Sequence, residues 1–174
     1  AFTESSAKLF GKSVAFSNTE GFVHSVREIF NDDIYKFDTT VSEPYIVDAG
    51  ANIGLSVIYF KRMYPQSRVV AYEPDPAIFS LLKANVAALG YDNVELREAA
   101  AWIEDTELTF YSEGSLAGST EVDFLNKGEV TIVKAERLKD RLTGPRVDFL
   151  KIDIEGGENS VLFDIESELD NVQH

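Results

Sequence analysis

The chain has 174 residues, 44% of them hydrophobic and 11% aromatic, which suits one domain with a real core and argues against a disordered or fibrous protein. Thirty acidic against 16 basic residues give a formal net charge of −14, a surface that repels phosphate backbones, so no nucleic-acid partner is expected. The absence of cysteine excludes disulfides and thiolate metal sites, and two histidines, His24 and His174, give little support to a histidine-dependent hydrolase or a multi-histidine metal centre.

No apolar stretch approaches the roughly 18 residues a membrane helix needs, and no signal-peptide pattern opens the chain, so a cytoplasmic protein without a membrane span is expected. In chain order, residues 1–40 read as a polar start, a short strand at Ser13 to Phe16, and a helix over Phe22 to Phe30. The helix rests on the spacing of Phe22, Val23, Val26, Ile29 and Phe30. Residues 45–174 then alternate strand and helix. Tyr45-Ile46-Val47 is a buried strand, Ile53 to Tyr64 a helix stopped by Pro65, and Arg68 to Tyr72 a second strand. Asp75-Pro76 caps a helix that runs to Leu89 and ends at Gly90, and Val94 to Arg97 is a third strand. Glu107 to Tyr111 and Val130 to Val133 read as an inserted hairpin around a polar loop, residues 112–127, expected to be mobile. Val147 to Ile154 is a further strand, and Glu158 to Leu169 a helix. This alternation predicts an α/β fold, a doubly wound, mostly parallel Rossmann-like sheet.

Ligands of such sheets bind beyond the carboxyl ends of the strands, where strand order reverses. The first parallel strand delivers Asp48-Ala49-Gly50-Ala51-Asn52-Ile53-Gly54 to that position. Gly50 and Gly54 are expected to let backbone approach a ligand, with amides at the start of the following helix aimed at it. A dinucleotide loop wants Gly-x-Gly-x-x-Gly. Here Asn52 stands at the middle glycine, which crowds a pyrophosphate but suits a cofactor with an amino-acid tail and no phosphates. Glu73, ending the second strand a little over twenty residues later, has the position of a carboxylate that accepts hydrogen bonds from ribose hydroxyls.

These residues, with Glu28-Ile29-Phe30, Tyr35, Glu73-Pro74-Asp75-Pro76 and Leu150-Lys151-Ile152-Asp153-Ile154-Glu155-Gly156, resemble the FkbM family of class I S-adenosylmethionine-dependent methyltransferases over about residues 22 to 169. The Lys-x-Asp-x-Glu-Gly run is the most specific part. The resemblance implies methyl transfer to a hydroxyl of a sugar, glycolipid or secondary metabolite, with a small-molecule or carbohydrate acceptor. It places Asp48, Gly50, Asn52 and Gly54 around the methionine part of the cofactor, Glu73 on the ribose, and Pro74 beside the adenine. Ala100, within Ala99-Ala100-Ala101-Trp102, would line the adenine pocket, whereas Trp102 reads as packing.

Alternation puts Lys151, Asp153 and Glu155 on one face of their strand, which is costly unless that face lines a cleft. Asp153 or Glu155 is the candidate general base or orienting group for the acceptor hydroxyl. Asp153, Glu155 and Glu158 could also hold Mg²⁺, but no ligand from a separate element is identifiable, and no metal is expected. The class I fold has seven strands and only four parallel ones can be placed, so the sheet is expected to stop before its last strands. The Val147 strand would then be an exposed edge that invites homo-oligomerisation. The alternatives are a non-catalytic cofactor-binding module or inactive fragment and, opposed by Asn52, a nicotinamide-dependent oxidoreductase.

Overall fold

A computed structural model describes residues 4–112, 118–119, 129–154 and 156–174. The chain opens with an antiparallel hairpin, β1 (Ser5–Leu9) and β2 (Lys12–Phe16), of which only the second strand was foreseen. Helix α1 (Thr19–Val26) starts at Asn18, whose side chain accepts from the Gly21 amide, as an N-cap residue does. It runs into a π-helical turn, Arg27–Asn31, rather than continuing as one regular helix to Phe30.

The central sheet is parallel: β3 (Tyr45–Ala49), β4 (Arg68–Tyr72), β5 (Val94–Arg97) and β10 (Phe149–Ile152), in the order β10-β3-β4-β5. All four expected parallel strands are present. The last is shorter than expected, so Asp153 and Ile154 lie beyond its carboxyl end. Because β4 and β10 flank β3 on opposite sides, strand order reverses between β3 and β10, and the crevice opens there.

Helices cover both faces. Ile46, Val69 and Ala71 pack under α2 (Leu55–Met63) and α3 (Pro76–Leu89), together with β2 and α1. Val47, Ala49, Val70 and Tyr72 point the other way, as the two-residue side-chain period of a strand requires. They meet β6 (Ala100–Trp102), α4 (Lys139–Leu142) and α5 (Glu158–Ile165). Helix α2 begins two residues later than the periodicity suggested, because Asn52 and Gly54 hold positive φ, 50° and 91°, outside the helical region.

The expected insertion hairpin is real: β7 (Thr106–Ser112) pairs antiparallel with β9 (Glu129–Arg137). It belongs to a second sheet, β6-β9-β7-β8, with β8 at Gly118–Ser119 and β6 parallel to β9. Most of the polar loop expected to be mobile, residues 112–127, lies outside the described residues. Trp102 is buried in the second apolar cluster, as packing.

The edge expected along the Val147 strand is partly covered. A 3₁₀ turn, Glu166–Asn171, follows α5, and Val172 then bridges Val147 in parallel. The Gln173 amide donates to the Val147 carbonyl at 2.9 Å, and the Leu150 amide donates to that of His174 at 2.9 Å. No described helix is long and apolar enough to cross a membrane.

Candidate functional site

Asp48 sits at the end of β3, fully buried and directly opposite Lys151 on β10. Its Oδ2 accepts from the Ser56 hydroxyl on α2 at 2.5 Å. Its Oδ1 lies 3.1 Å from the Lys151 ammonium, but no donor is aligned on it as a hydrogen bond. Lys151 also donates to the Gly50 carbonyl at 2.7 Å and lies 3.5 Å from Asp153 Oδ2. Burial would lower the pKa of this ammonium; Asp48, Tyr35 and Asp153 outweigh it and the net shift is upward, so Lys151 stays charged.

The loop between β3 and α2 spends its amides within the protein. Gly50 and Ala51 donate to the Tyr72 carbonyl, Asn52 to Glu73 Oε2, Ile53 to the Asn52 side chain and Gly54 to the Ala51 carbonyl. The amides of residues 50–54 are therefore not aimed at a ligand, contrary to the expectation from a glycine-rich turn. The glycines also answer to the protein itself. A Cβ on Gly50 would stand 1.8 Å from the Asp153 carbonyl oxygen, and one on Gly54 2.7 Å from Leu82 Cδ1. Gly50 is where the loop crosses the end of β10, at φ +90°.

Glu73 ends β4 with both oxygens occupied: Oε2 accepts from the Asn52 amide and Oε1 from the Asp75 amide, each at 2.9 Å. Burial pushes its carboxyl up to about 7, and the Asp75 charge adds to that; the two amides and Lys151 oppose it. Pro74 follows, half-buried.

A cavity of about 180 Å³ opens beside the loop. Gly50, Asn52, Ser56, Lys151 and Asp153 form one wall, and the N-terminal elements the other, through Phe16, Phe22, Glu28, Ile29 and Tyr35. Asp153 reaches it with a side chain 59% exposed, while its amide donates to the Ala49 carbonyl. Burial pushes the Tyr35 phenol up to about 12, so it stays neutral, with its ring centre 5.8 Å from the Lys151 ammonium.

Asp48, Gly50, Asn52, Glu73 and Asp153 thus meet at the carboxyl ends of β3, β4 and β10. Ala100 is apart from the cavity wall, buried at the start of β6 in the second apolar cluster. Glu155 lies outside the described residues. Glu158 accepts from the Ile154 and Gly156 amides, so its carboxylate shapes the turn, and no metal-binding cluster occurs among the described residues.

Two participants were not identified as site residues from sequence. Lys151 was only one of three like-facing charges, and Tyr35 only part of the approach to the first parallel strand. The available signal was a lysine inside Phe149-Leu150-Lys151-Ile152 and an aspartate ending Tyr45-Ile46-Val47-Asp48, opposite charges in two apolar strands that must become neighbours.

Residues 48–173 match the methyltransferase FkbM domain, well over half of the chain. The chain belongs to the FkbM methyltransferase family. It is 33% identical over 178 residues to Methyltransferase 1 of Beauveria bassiana, covering 87% of this chain and 71% of that protein. It is 29% identical over 126 residues to the 31-O-demethyl-FK506 methyltransferase FkbM of Streptomyces tacrolimicus, covering 69% and 47%. The crystal structure of a methyltransferase FkbM from Methylobacillus flagellatus superposes with a TM-score of 0.53 at 19% identity, which shows the shared fold; the match covers 80% of this chain and 32% of that one. The cofactor of the FkbM domain is S-adenosylmethionine, which has a ribose and an amino-acid tail but no phosphate. The residues here fit it: the amides of residues 50–54 are used within the protein and leave none to cradle a phosphate, and the Glu73 carboxylate stands beside that loop at the end of β4.

Proposed function

We propose that this FkbM domain transfers the methyl group of S-adenosylmethionine to a hydroxyl oxygen of a sugar, glycolipid or secondary metabolite. The observation that carries the cofactor half is the loop 50–54, its amides spent internally and the Glu73 carboxylate beside it. Asp48, Gly50, Asn52 and Gly54 form the methionine end, Glu73 accepts from the ribose hydroxyls through its remaining lone pairs, and Pro74 and Ala100 flank the adenine. The oxygen acceptor is supported by the Streptomyces relative, whose name specifies a 31-O-demethyl substrate.

Bound S-adenosylmethionine supplies an activated methyl on a sulfonium, so this chain has no need to generate an electrophile. Its work is to hold the acceptor in line, exclude water and manage one proton. Asp153 faces the cavity at the switch point and, with Glu155, accepts the proton of the acceptor hydroxyl or orients it. Glu28 and Asp153 put two carboxylates on the cavity wall, while Lys151 is committed to three oxygens, which suits a neutral acceptor.

Calorimetric titration with S-adenosylhomocysteine, with NAD in parallel, tests the cofactor assignment. Binding of the nucleoside thioether and its loss in Glu73→Ala are expected; NAD binding in its place would overturn the reading. For the proton, Asp153→Asn and Glu155→Gln are each expected to slow turnover by about 10²-fold or more at unchanged cofactor affinity. Full turnover in both variants would remove the carboxylates from the mechanism.

A further inference from the structure

Lys151 is a lysine near the end of β10, the edge strand of the parallel sheet, with almost no exposed surface, and nothing in the proton chemistry above uses it. Its ammonium touches three separate pieces of the site. It donates to the Gly50 carbonyl of the loop, stands 3.1 Å from Asp48 on the neighbouring strand, and stands 3.5 Å from Asp153, which reaches the cavity. A buried lysine is expensive unless its charge is matched and its donors are used, and here oxygens from three places do so. Gly50 and Asp153 are also closely packed, since the Gly50 α-carbon leaves no room for a Cβ against the Asp153 carbonyl. The ammonium and this close packing together lock the loop against the end of β10. Lys151 and Gly50 both line the cavity, while Glu73 at the ribose position does not.

We propose that Lys151 is a positioning residue for the methionine end of the cofactor: its ammonium holds the Gly50 backbone and the Asp153 carboxylate in the single arrangement that receives the amino-acid tail. This rests on the cofactor reading above. It acts through Gly50 and Asp153 rather than on the ribose or adenine, so its removal should weaken ligands that carry the tail and spare those that lack it. Lysine is required for its point charge on a long stem; a methionine of similar length would fill the volume but leave the Asp48 carboxylate without its counter-charge.

The chain contains no cysteine, so Lys151→Cys introduces a unique thiol. Aminoethylation of that thiol in the unfolded chain, followed by refolding, rebuilds a lysine-like ammonium at this one position. Two probes are titrated by calorimetry: S-adenosylhomocysteine, with the tail, and 5′-methylthioadenosine, without it. The unmodified variant is expected to lose at least about tenfold in affinity for the first and to stay within about twofold for the second, and aminoethylation to restore the first. Equal losses for both probes, or no loss for either, would overturn the proposal, because a merely structural lysine would move both together. Should the unmodified variant not fold, the wild-type chain provides the measurement through the Lys151 Nζ resonance in ¹⁵N-detected NMR. Its shift and proton exchange should change on adding S-adenosylhomocysteine and stay put with 5′-methylthioadenosine; the same response to both would overturn the assignment. If the wild-type chain binds neither probe, the cofactor reading itself falls, a distinct outcome.

Discussion

At the scale of single residues, Glu73 carries a titration that couples folding to binding. Its carboxyl is raised to about 7 by burial, above its ordinary range, so the folded chain holds this proton more tightly than the unfolded chain. The stability so gained is fully present below about pH 4.5 and is lost as pH rises through 7. Relative to Glu73→Gln, wild type should lose about 3 kcal/mol of unfolding free energy between pH 4.5 and 8, the linkage value for the full shift and therefore an upper bound, read from urea melts at each pH. Ribose hydroxyls donate to the ionised form, so S-adenosylhomocysteine should bind more tightly as pH rises from 6 to 8, by up to about tenfold. A flat affinity profile would separate Glu73 from the ribose. Gly50 and Gly90 give a second contrast. Both hold positive φ, but alanine at 50 meets the Asp153 carbonyl while alanine at 90 meets nothing within 4 Å. Gly90→Ala should cost about 1 kcal/mol by its backbone alone, and Gly50→Ala well over 3 kcal/mol. Similar costs in denaturant unfolding would mean that the loop yields at Gly50.

At the scale of elements, α3 is the clearest case of local instruction. Asp75 accepts from the Ala77 and Ile78 amides, Pro76 fixes the first turn, and Gly90 closes the helix in the left-handed region. Asp75→Ala should cost about 1 kcal/mol and Asp75→Asn much less, since asparagine keeps the capping oxygen. The asparagine variant also removes a negative charge beside Glu73, so the Glu73 titration should move to lower pH, which NMR of the side-chain carboxyl would show. An unchanged midpoint would mean burial alone sets it. The helix that carries Glu28 behaves differently. Its apolar spacing predicts a regular helix to Phe30, but residues 27–31 form a π-helical turn, and Glu28 and Ile29 from that turn line the cavity. The spacing of Val26, Ile29 and Phe30 serves either winding, so composition alone could not distinguish them.

At the scale of the whole molecule, the C-terminal residues cover part of the β10 edge that the linear pattern left open. Deleting residues 171–174 should uncover that edge and raise self-association above that of the intact chain, measured by light scattering at tens of micromolar. Equal behaviour would show that the edge is not a site of pairing. What was legible in the sequence was local: the strand–helix alternation, the cap and stop of α3, the Asp48-to-Gly54 loop, Glu73 at its strand end, and the Lys-x-Asp-x-Glu-Gly run. These follow from backbone periodicity and from residues that act within a few positions of themselves. Tertiary structure decided the rest. The Lys151 ammonium bonds to a carbonyl 101 residues away, the loop amides turn to Tyr72 and Glu73 rather than outward, and the N-terminal hairpin and helix become the far wall of the cavity. Each depends on which strands lie side by side. A buried polar group takes its partner from its neighbours in space, and the order β10-β3-β4-β5 supplies those neighbours.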